Sequence, residues 1–525
     1  MTVTTPETDR FGNAGLAQPT RQALPVLPLA TLPVLPLATL AVLALAILQQ
    51  VLGHHNTDNS WLFTVGEKLL GGATPYVDVI EANPPASIML YMPAVLLGRL
   101  LPISSEFAAN LLAFLGVAGA LHLTSRILRK AGLIAAAEVP FLWLAGTFTL
   151  MLLPGACFAE REHIAAATAL PFLAVLAGRV SGQTPLWKHT LPAGLLAGLT
   201  VAIKPHFALA LVLPFGLALL RRRDWRLVAT PEALCAALLV GAYAASVPLF
   251  FPHYLDMLPG LIDAYVANRL PLTTLALQPW PLLHIVLLAT LGFAMIRCRR
   301  APAMSVLTAL ASLGFLLAAF AQGKGWINHY FGGVALAVMA LAFFFAPLVP
   351  VAGGRAAHGG DWARLRLVVL FALVPGLAGG VFLFRQIYED VYPGLAAEVR
   401  RAAPAHPSLI ALSGELTIGH PLVREIDGVW AGRPGALWLT VTSGVMLKSG
   451  TTDPAYRARL TGYIHQDAAM FVEDVRGRRP DVILVEDATY PKLFALAPEL
   501  AGALDGYVRA GGAAGISVWI RKAGL

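Results

Sequence analysis

The sequence predicts an α-helical polytopic membrane protein, with about 11 transmembrane helices plus interfacial helices and a small C-terminal α/β domain. Three observations carry that prediction. The chain has 525 residues, of which 57% are hydrophobic and only 13% charged, and its mean hydropathy is +0.68, far from ordinary soluble composition. Apolar runs suited to a hydrocarbon layer of about 30 Å recur along most of the chain. Basic residues gather between those runs on alternate loops. The net charge of +8 is therefore read as the cytoplasmic excess of a membrane protein, and nucleic acid is not expected as a partner.

In chain order, a cytoplasmic tail (1–23) precedes apolar runs at 24–53, 107–126, 138–156, 164–178, 190–203, 206–220, 229–251, 282–296, 302–321, 331–349 and 367–384. The first run begins with a Pro-rich repeat, "LPVLPLAT", and no small-residue cleavage site follows it, so it reads as an uncleaved anchor. The run at 84–102 is nearly long enough to be a twelfth span, and charge decides against it. With 84–102 along the membrane surface, 17 basic residues fall on one side, including Arg126, Arg129, Lys130, the "RRRDWR" cluster at 221–226 and Arg355, Arg364 and Arg366. The other side, up to residue 384, holds six: Lys68, Arg99, Arg161, Lys204, Arg269 and Lys324. Making 84–102 a span would scatter those clusters, so the segment reads as interfacial. The same reasoning breaks 190–220 into two helices with "KPH" at an outward tip. The expected orientation is a multi-pass protein of the bacterial inner membrane, N-terminus cytoplasmic and C-terminus periplasmic.

From Arg385 onward the balance changes to 15 basic and 15 acidic residues. This part, 385–525, reads as a soluble periplasmic α/β domain with strands at 408–414, 436–444, 480–487 and 515–522 and helices near 454–475 and 491–509. The three cysteines, Cys157, Cys235 and Cys298, are scattered and give neither a disulfide framework nor metal-ligand spacing.

In this topology the segments 54–106, 157–163, 252–281 and 322–330 face outward with the "KPH" tip, and their ionisable groups converge at one mouth of the bundle. Carboxylates at an aqueous membrane edge avoid the full cost of burial in hydrocarbon and can act on a lipid-linked substrate at that level.

The stretch "LLGGATPYVDVIEANPP" (69–85), the Asp58 just after the first span, acids in the second outward loop and a long outward loop between spans seven and eight together resemble the GT-C superfamily of integral-membrane glycosyltransferases. The resemblance is to bacterial relatives of the protein O-mannosyltransferases and of the lipid A aminoarabinose transferase, and it covers residues 33–384. It implies a periplasmic-face transfer of sugar from a polyprenyl-phosphate donor to a cell-envelope acceptor, whether lipid, glycan or protein. Two departures stand out: "DN" replaces the acidic pair of the mannosyltransferases, and Asn83 replaces the Lys that precedes the paired prolines in the aminoarabinose transferase. The candidates for phosphate binding are therefore Arg161, Lys204 and Lys324, whose cations suit phosphate oxygens, with a lysine snorkelling from a helix end as the alternative for Lys204.

The chemistry implied is inversion at the anomeric carbon, with a carboxylate taking the acceptor's proton. Asp58 is the proposed base, against the alternative of a turn residue in "NTDN". Glu160 and Glu162 share that role, orient the acceptor or bind a divalent cation; alternatively they only begin a helix, where acids suit the N-terminal dipole. Asp78, Glu81, Trp326 and His329 are the sugar- or acceptor-binding candidates, with loop solvation and the interfacial aromatic belt as the alternatives. No cofactor is required, and a divalent cation is left open. Competing classes are a transporter or flippase of lipid-linked sugars and a non-catalytic envelope-assembly subunit.

Overall fold

In the computed structural model, which describes residues 34–346, 391–450 and 453–522, the first part of the chain is a helical bundle. Eight of its helices are long and apolar enough to cross a membrane, and the protein is a polytopic membrane protein. The elements are α1 (Val34–Leu52), α2 (Thr57–Leu70), α3 (Pro85–Met89), α4 (Met92–Leu100), α5 (Ser105–Lys130), α6 (Val139–Thr147), α7 (Arg161–Val180) and α8 (Trp187–Ile203). They continue with α9 (Leu209–Arg222), α10 (Pro231–Phe250), α11 (Pro252–Ala267), α12 (Leu272–Ala276), α13 (Pro279–Cys298), α14 (Ala303–Gln322) and α15 (Ile327–Phe345). The expected span at 367–384, the tail 1–23 and Arg355, Arg364 and Arg366 lie outside the described residues.

The segment 84–102 forms α3 and α4, of five and nine residues, and at 1.5 Å per residue neither crosses roughly 30 Å. Tyr91, between them, sets its hydroxyl 2.8 Å from Asn59 Oδ1 and 2.9 Å from the Ala159 carbonyl. The surface segment thereby fixes α2 against the loop that leads into α7. The 190–220 run is broken as charge required: Lys204 is extended, with φ −147° and ψ 120°, and Pro205 begins a single 3₁₀ turn before α9. Proline lacks the N–H that would continue α8, and it disfavours helical backbone in the residue before it.

The C-terminal part adds α16 (Leu395–Ala402), α17 (Leu422–Glu425), α18 (Trp438–Lys448), α19 (Pro454–Arg478) and α20 (Tyr490–Leu496) around a five-stranded sheet. Its strands are β1 (Ser408–Leu412), β2 (Val429–Trp430), β3 (Val482–Glu486), β4 (Tyr507–Ala513) and β5 (Ile516–Arg521), in the order β2-β1-β3-β5-β4. β1 pairs in parallel with β2 and β3, while β5 pairs antiparallel with β3 and β4. Two expectations are corrected. Residues 436–444 are not a strand, since α18 begins at Trp438. The helix expected at 491–509 is α20 followed by a 3₁₀ turn at Pro498–Leu504, and the chain then enters β4.

This unit sits on α2, the loop that follows it, the start of α5 and α11. Arg424 of α17 reaches between Glu67, at 2.8 Å, and Glu106. Ile80 N donates to the Arg433 carbonyl at 2.9 Å, and Tyr463 on α19 donates to Asp263 on α11 at 3.3 Å. His420 is wedged between Trp61 and Trp430, with ring centroids 5.1 and 4.8 Å away. Arg424→Ala leaves Glu106 buried and unpaired; removing one partner of a buried pair typically costs about 3–5 kcal/mol, and the exposed Glu67 contact adds little. The expected result is a lower thermal midpoint with faster protease cleavage between the two parts. Unchanged cleavage would show that Arg424 does not hold them together.

Candidate functional site

Where one end of the helical bundle meets the C-terminal unit, a cavity of about 1490 Å³ opens, lined by Asp58, Glu81, Glu160, Arg161, Lys204, Lys324, Trp326 and His329 together with residues from within 391–442. Eight of the ten expected site residues thus share one chamber. Glu162 lies directly beneath its floor, fully buried. Asp78 is not brought there: it is exposed in the turn that follows α2 and accepts the Thr74 backbone N–H at 2.8 Å. Its carboxyl is held below the usual range by that hydrogen bond, which makes it a turn-fixing residue.

Asp58 occupies the first turn of α2, whose N-terminus is capped by the Asn56 side chain accepting from Asn59 N. That cap sets the turn at the cavity edge. Asp58 Oδ2 accepts from Arg161 Nη2 at 2.5 Å, and 36% of its side chain is exposed, whereas Glu81 and Glu160, the other cavity carboxylates of the membrane part, are buried. Arg161 is the first residue of α7 and is buried, yet its Nε and Nη1 have no hydrogen-bond partner. Two buried guanidinium nitrogens beside a cavity are an anion site in waiting, because an unpaired buried donor is costly.

Glu160 stands at the N-cap position of α7 but its side chain does not cap the helix; both oxygens are engaged elsewhere, with Asn56 Nδ2 and Asn328 Nδ2 donating to them at 2.6 Å each. Burial, then the neighbouring Asp58 and Glu162 charges, pushes its carboxyl well above the usual carboxylate range. Sequence reasoning missed Asn56 and Asn328, although both stand in the segments 54–106 and 322–330 expected to face outward. Glu162 accepts from Lys204 Nζ at 2.5 Å, and His329 Nε2 is 3.8 Å from the same oxygen. Lys204 is therefore an ion-pair partner as well as a cavity residue.

Lys324 is held by the loop geometry of "QGKGWINHY". Gly323 and Gly325 have φ of +72° and +73°, and a Cβ on Gly325 would come within 2.5 Å of Gln278 Nε2; glycine is required there. Lys324 Nζ donates to the Tyr265 carbonyl at 2.8 Å and lies 4.2 Å over the Tyr265 ring, which ties α11 to the cavity. Burial, with Arg269 nearby, lowers its ammonium to about 8. Trp326 is 53% exposed, with the His329 ring 5.3 Å away and Lys324 Nζ 5.9 Å over its own ring.

Glu81 is buried, with Oε1 accepting Asn83 N at 2.7 Å and also Asn83 Nδ2, and Oε2 accepting the Trp61 indole. Burial raises its carboxyl. It closes the 78–85 loop on itself and presents Trp61 to the cavity. Among the described residues no group of three or more His, Cys, Asp or Glu is placed to hold a metal ion, and the oxygens of Glu81 and Glu160 face N–H donors.

No family model and no curated protein matches this chain. Among solved structures, ArnT from Cupriavidus metallidurans bound to undecaprenyl phosphate is similar at a TM-score of 0.54 and 14% identity, over 93% of this chain and 98% of that one. ArnT from Cupriavidus metallidurans in the apo state gives 0.46 at 15% identity, covering 92% and 97%. The Archaeoglobus fulgidus oligosaccharyltransferase, in complex with Zn and sulfate, gives 0.43 at 14% identity, covering 90% and 71%. At these identities the first likeness establishes a fold, and the two below 0.5 add nothing to it. The chain is a membrane protein that shares its fold with the first of these ArnT structures.

Proposed function

We propose that this protein is a glycosyltransferase that takes a sugar from a polyprenyl-phosphate donor and places it on a cell-envelope acceptor at the periplasmic face. The observation that carries this reading is the convergence on one cavity of an open carboxylate, Asp58, with three cations, Arg161, Lys204 and Lys324. The structural neighbour of highest TM-score reported above holds undecaprenyl phosphate, and the donor chemistry is taken from that likeness.

In the reaction, the acceptor hydroxyl attacks the anomeric carbon from the side opposite the phosphate. A new carbon–oxygen bond forms as the bond to the phosphate oxygen breaks, and the configuration inverts. Asp58 receives the hydroxyl proton. The electron pair leaves with polyprenyl phosphate, whose charge is met by the unpartnered Arg161 nitrogens and by Lys204 and Lys324. Glu160 keeps Asn56 and Asn328 in place around the base. Trp326, Glu81 and His329 line the same cavity and are assigned to contact sugar or acceptor. The sidedness of the basic residues supports an inner-membrane protein with cytoplasmic N-terminus and periplasmic C-terminus.

Undecaprenyl phosphate should stabilise the purified chain against heat, with a pH dependence set by Lys324. The sign follows from its lowered ammonium: below about 8 the side chain is charged and attracts phosphate, and above it the charge is lost. Binding measured between pH 6.5 and 9.5 on wild type therefore weakens as pH rises through about 8, whereas Lys324→Arg, charged throughout, flattens the curve. No stabilisation at any pH would contradict a polyprenyl-phosphate site.

A further inference from the structure

The cavity has two chemically different walls. All three of its lysines and arginines come from the membrane part. The wall supplied by residues 391–442 contributes Glu415 and Glu425 and no Lys, Arg or His, alongside Trp438 and the hydroxyls of Tyr392, Thr417 and Thr442. Glu415 is exposed, and its carboxylate has no hydrogen-bond or ion-pair partner among the described residues. The half-buried Trp438 indole likewise stacks on no other ring among those residues. Tyr392 and Thr417 hydroxyls lie 3.3 Å apart. Opposite, the buried Arg161 holds two guanidinium nitrogens with no partner.

An aromatic face beside carboxylate and hydroxyl oxygens is the chemistry that recognises sugar rings, because the apolar face of the ring covers the indole while hydroxyl or ammonium protons meet the oxygens. The same wall repels phosphate at Glu415, whose carboxylate has no cationic partner among the described residues, while Glu425 faces His54 Nδ1 of the membrane part at 3.6 Å. We infer that the C-terminal wall is the acceptor subsite and that it takes a carbohydrate moiety that is neutral or amine-bearing and carries no phosphate on the face it presents. This rests on the transferase reading. It adds a division of labour, with anionic donor on the membrane wall and polyhydroxyl acceptor on the C-terminal wall.

The test uses the full chain in detergent, saturated with undecaprenyl phosphate so that the cationic wall is occupied. Saturation-transfer NMR then compares glucosamine, N-acetylglucosamine and glucose 6-phosphate. The two unphosphorylated sugars should bind at least about tenfold more tightly than glucose 6-phosphate, the size of one hydrogen bond to a charged group. Glu415→Gln should weaken glucosamine binding on the order of tenfold while heat stabilisation by undecaprenyl phosphate stays as in wild type. Glu415→Lys should turn the preference toward glucose 6-phosphate. Preference for the phosphorylated sugar in wild type, or no sugar bound while undecaprenyl phosphate still binds, overturns the inference and leaves the donor site standing. Loss of undecaprenyl phosphate binding as well overturns both.

Discussion

Asp58→Asn lowers sugar transfer by roughly 10²- to 10⁴-fold, the usual contribution of a positioned general base. The substitution keeps the shape of the side chain and keeps an oxygen for Arg161, so donor binding and thermal stability remain near those of wild type. Glu160→Gln is the informative companion, because both Glu160 oxygens accept from amide groups and an amide in its place must turn an N–H toward Asn56 or Asn328. Its loss of rate should come with a loss of stability. A fall in rate at Glu160→Gln larger than that at Asp58→Asn, with stability retained, would move the base from α2 to the start of α7.

The second large effect belongs to the pair beneath the cavity floor. Lys204→Met leaves Glu162, fully buried, without its cation, and breaking such a pair typically costs about 3–5 kcal/mol. Combining it with Glu162→Gln removes the stranded charge, and replacing both members of a buried pair is often close to neutral. The double variant is therefore expected to regain most of the thermal stability. It should not regain donor affinity: Lys204 lines the cavity and spends one of its ammonium protons on Glu162, at 2.5 Å, leaving two for phosphate. A persistent loss of about tenfold in undecaprenyl phosphate affinity is expected. Full recovery of affinity in the double variant would make Lys204 a purely structural cation.

The site was legible where chemistry follows from helix ends. Asp58, Arg161 and Lys204 could be expected at one end of the bundle because apolar runs and basic clusters predict which loops share a side, and each sits within a residue or two of a helix terminus. What could not be read is pairing. Glu162 and Lys204 are 42 positions apart, and nothing local says that this lysine meets a carboxylate below the floor. Asp78 was misplaced for a related reason, since its motif marks a tight turn whose backbone N–H claims the carboxylate.

In the C-terminal part, β-branched residues in "ALWLTVTSG" give a strand-like pattern, and tertiary contacts override it. Asp467 on α19 accepts from Thr440 N at 3.0 Å and Thr440 Oγ1 at 2.8 Å, holding the first turn of α18. Burial raises this carboxyl to about 6. The strand β4 was hidden because "GYVRAGGAAG" is rich in glycine and alanine, and only pairing with β5 makes it extended. The consequence for function is considerable: α18 as a helix carries Trp438 into the cavity wall.

The measurement that tests the central reading most directly is turnover of a lipid-linked sugar. Purified chain in liposomes is given undecaprenyl phosphate carrying a radiolabelled sugar on the C-terminal side, with an envelope extract as acceptor. Free undecaprenyl phosphate should accumulate in step with label in the acceptor fraction, and both should be nearly abolished by Asp58→Asn. Donor that remains intact, or that crosses the bilayer with its sugar still attached, would contradict the transferase account and point instead to a transporter of lipid-linked sugars.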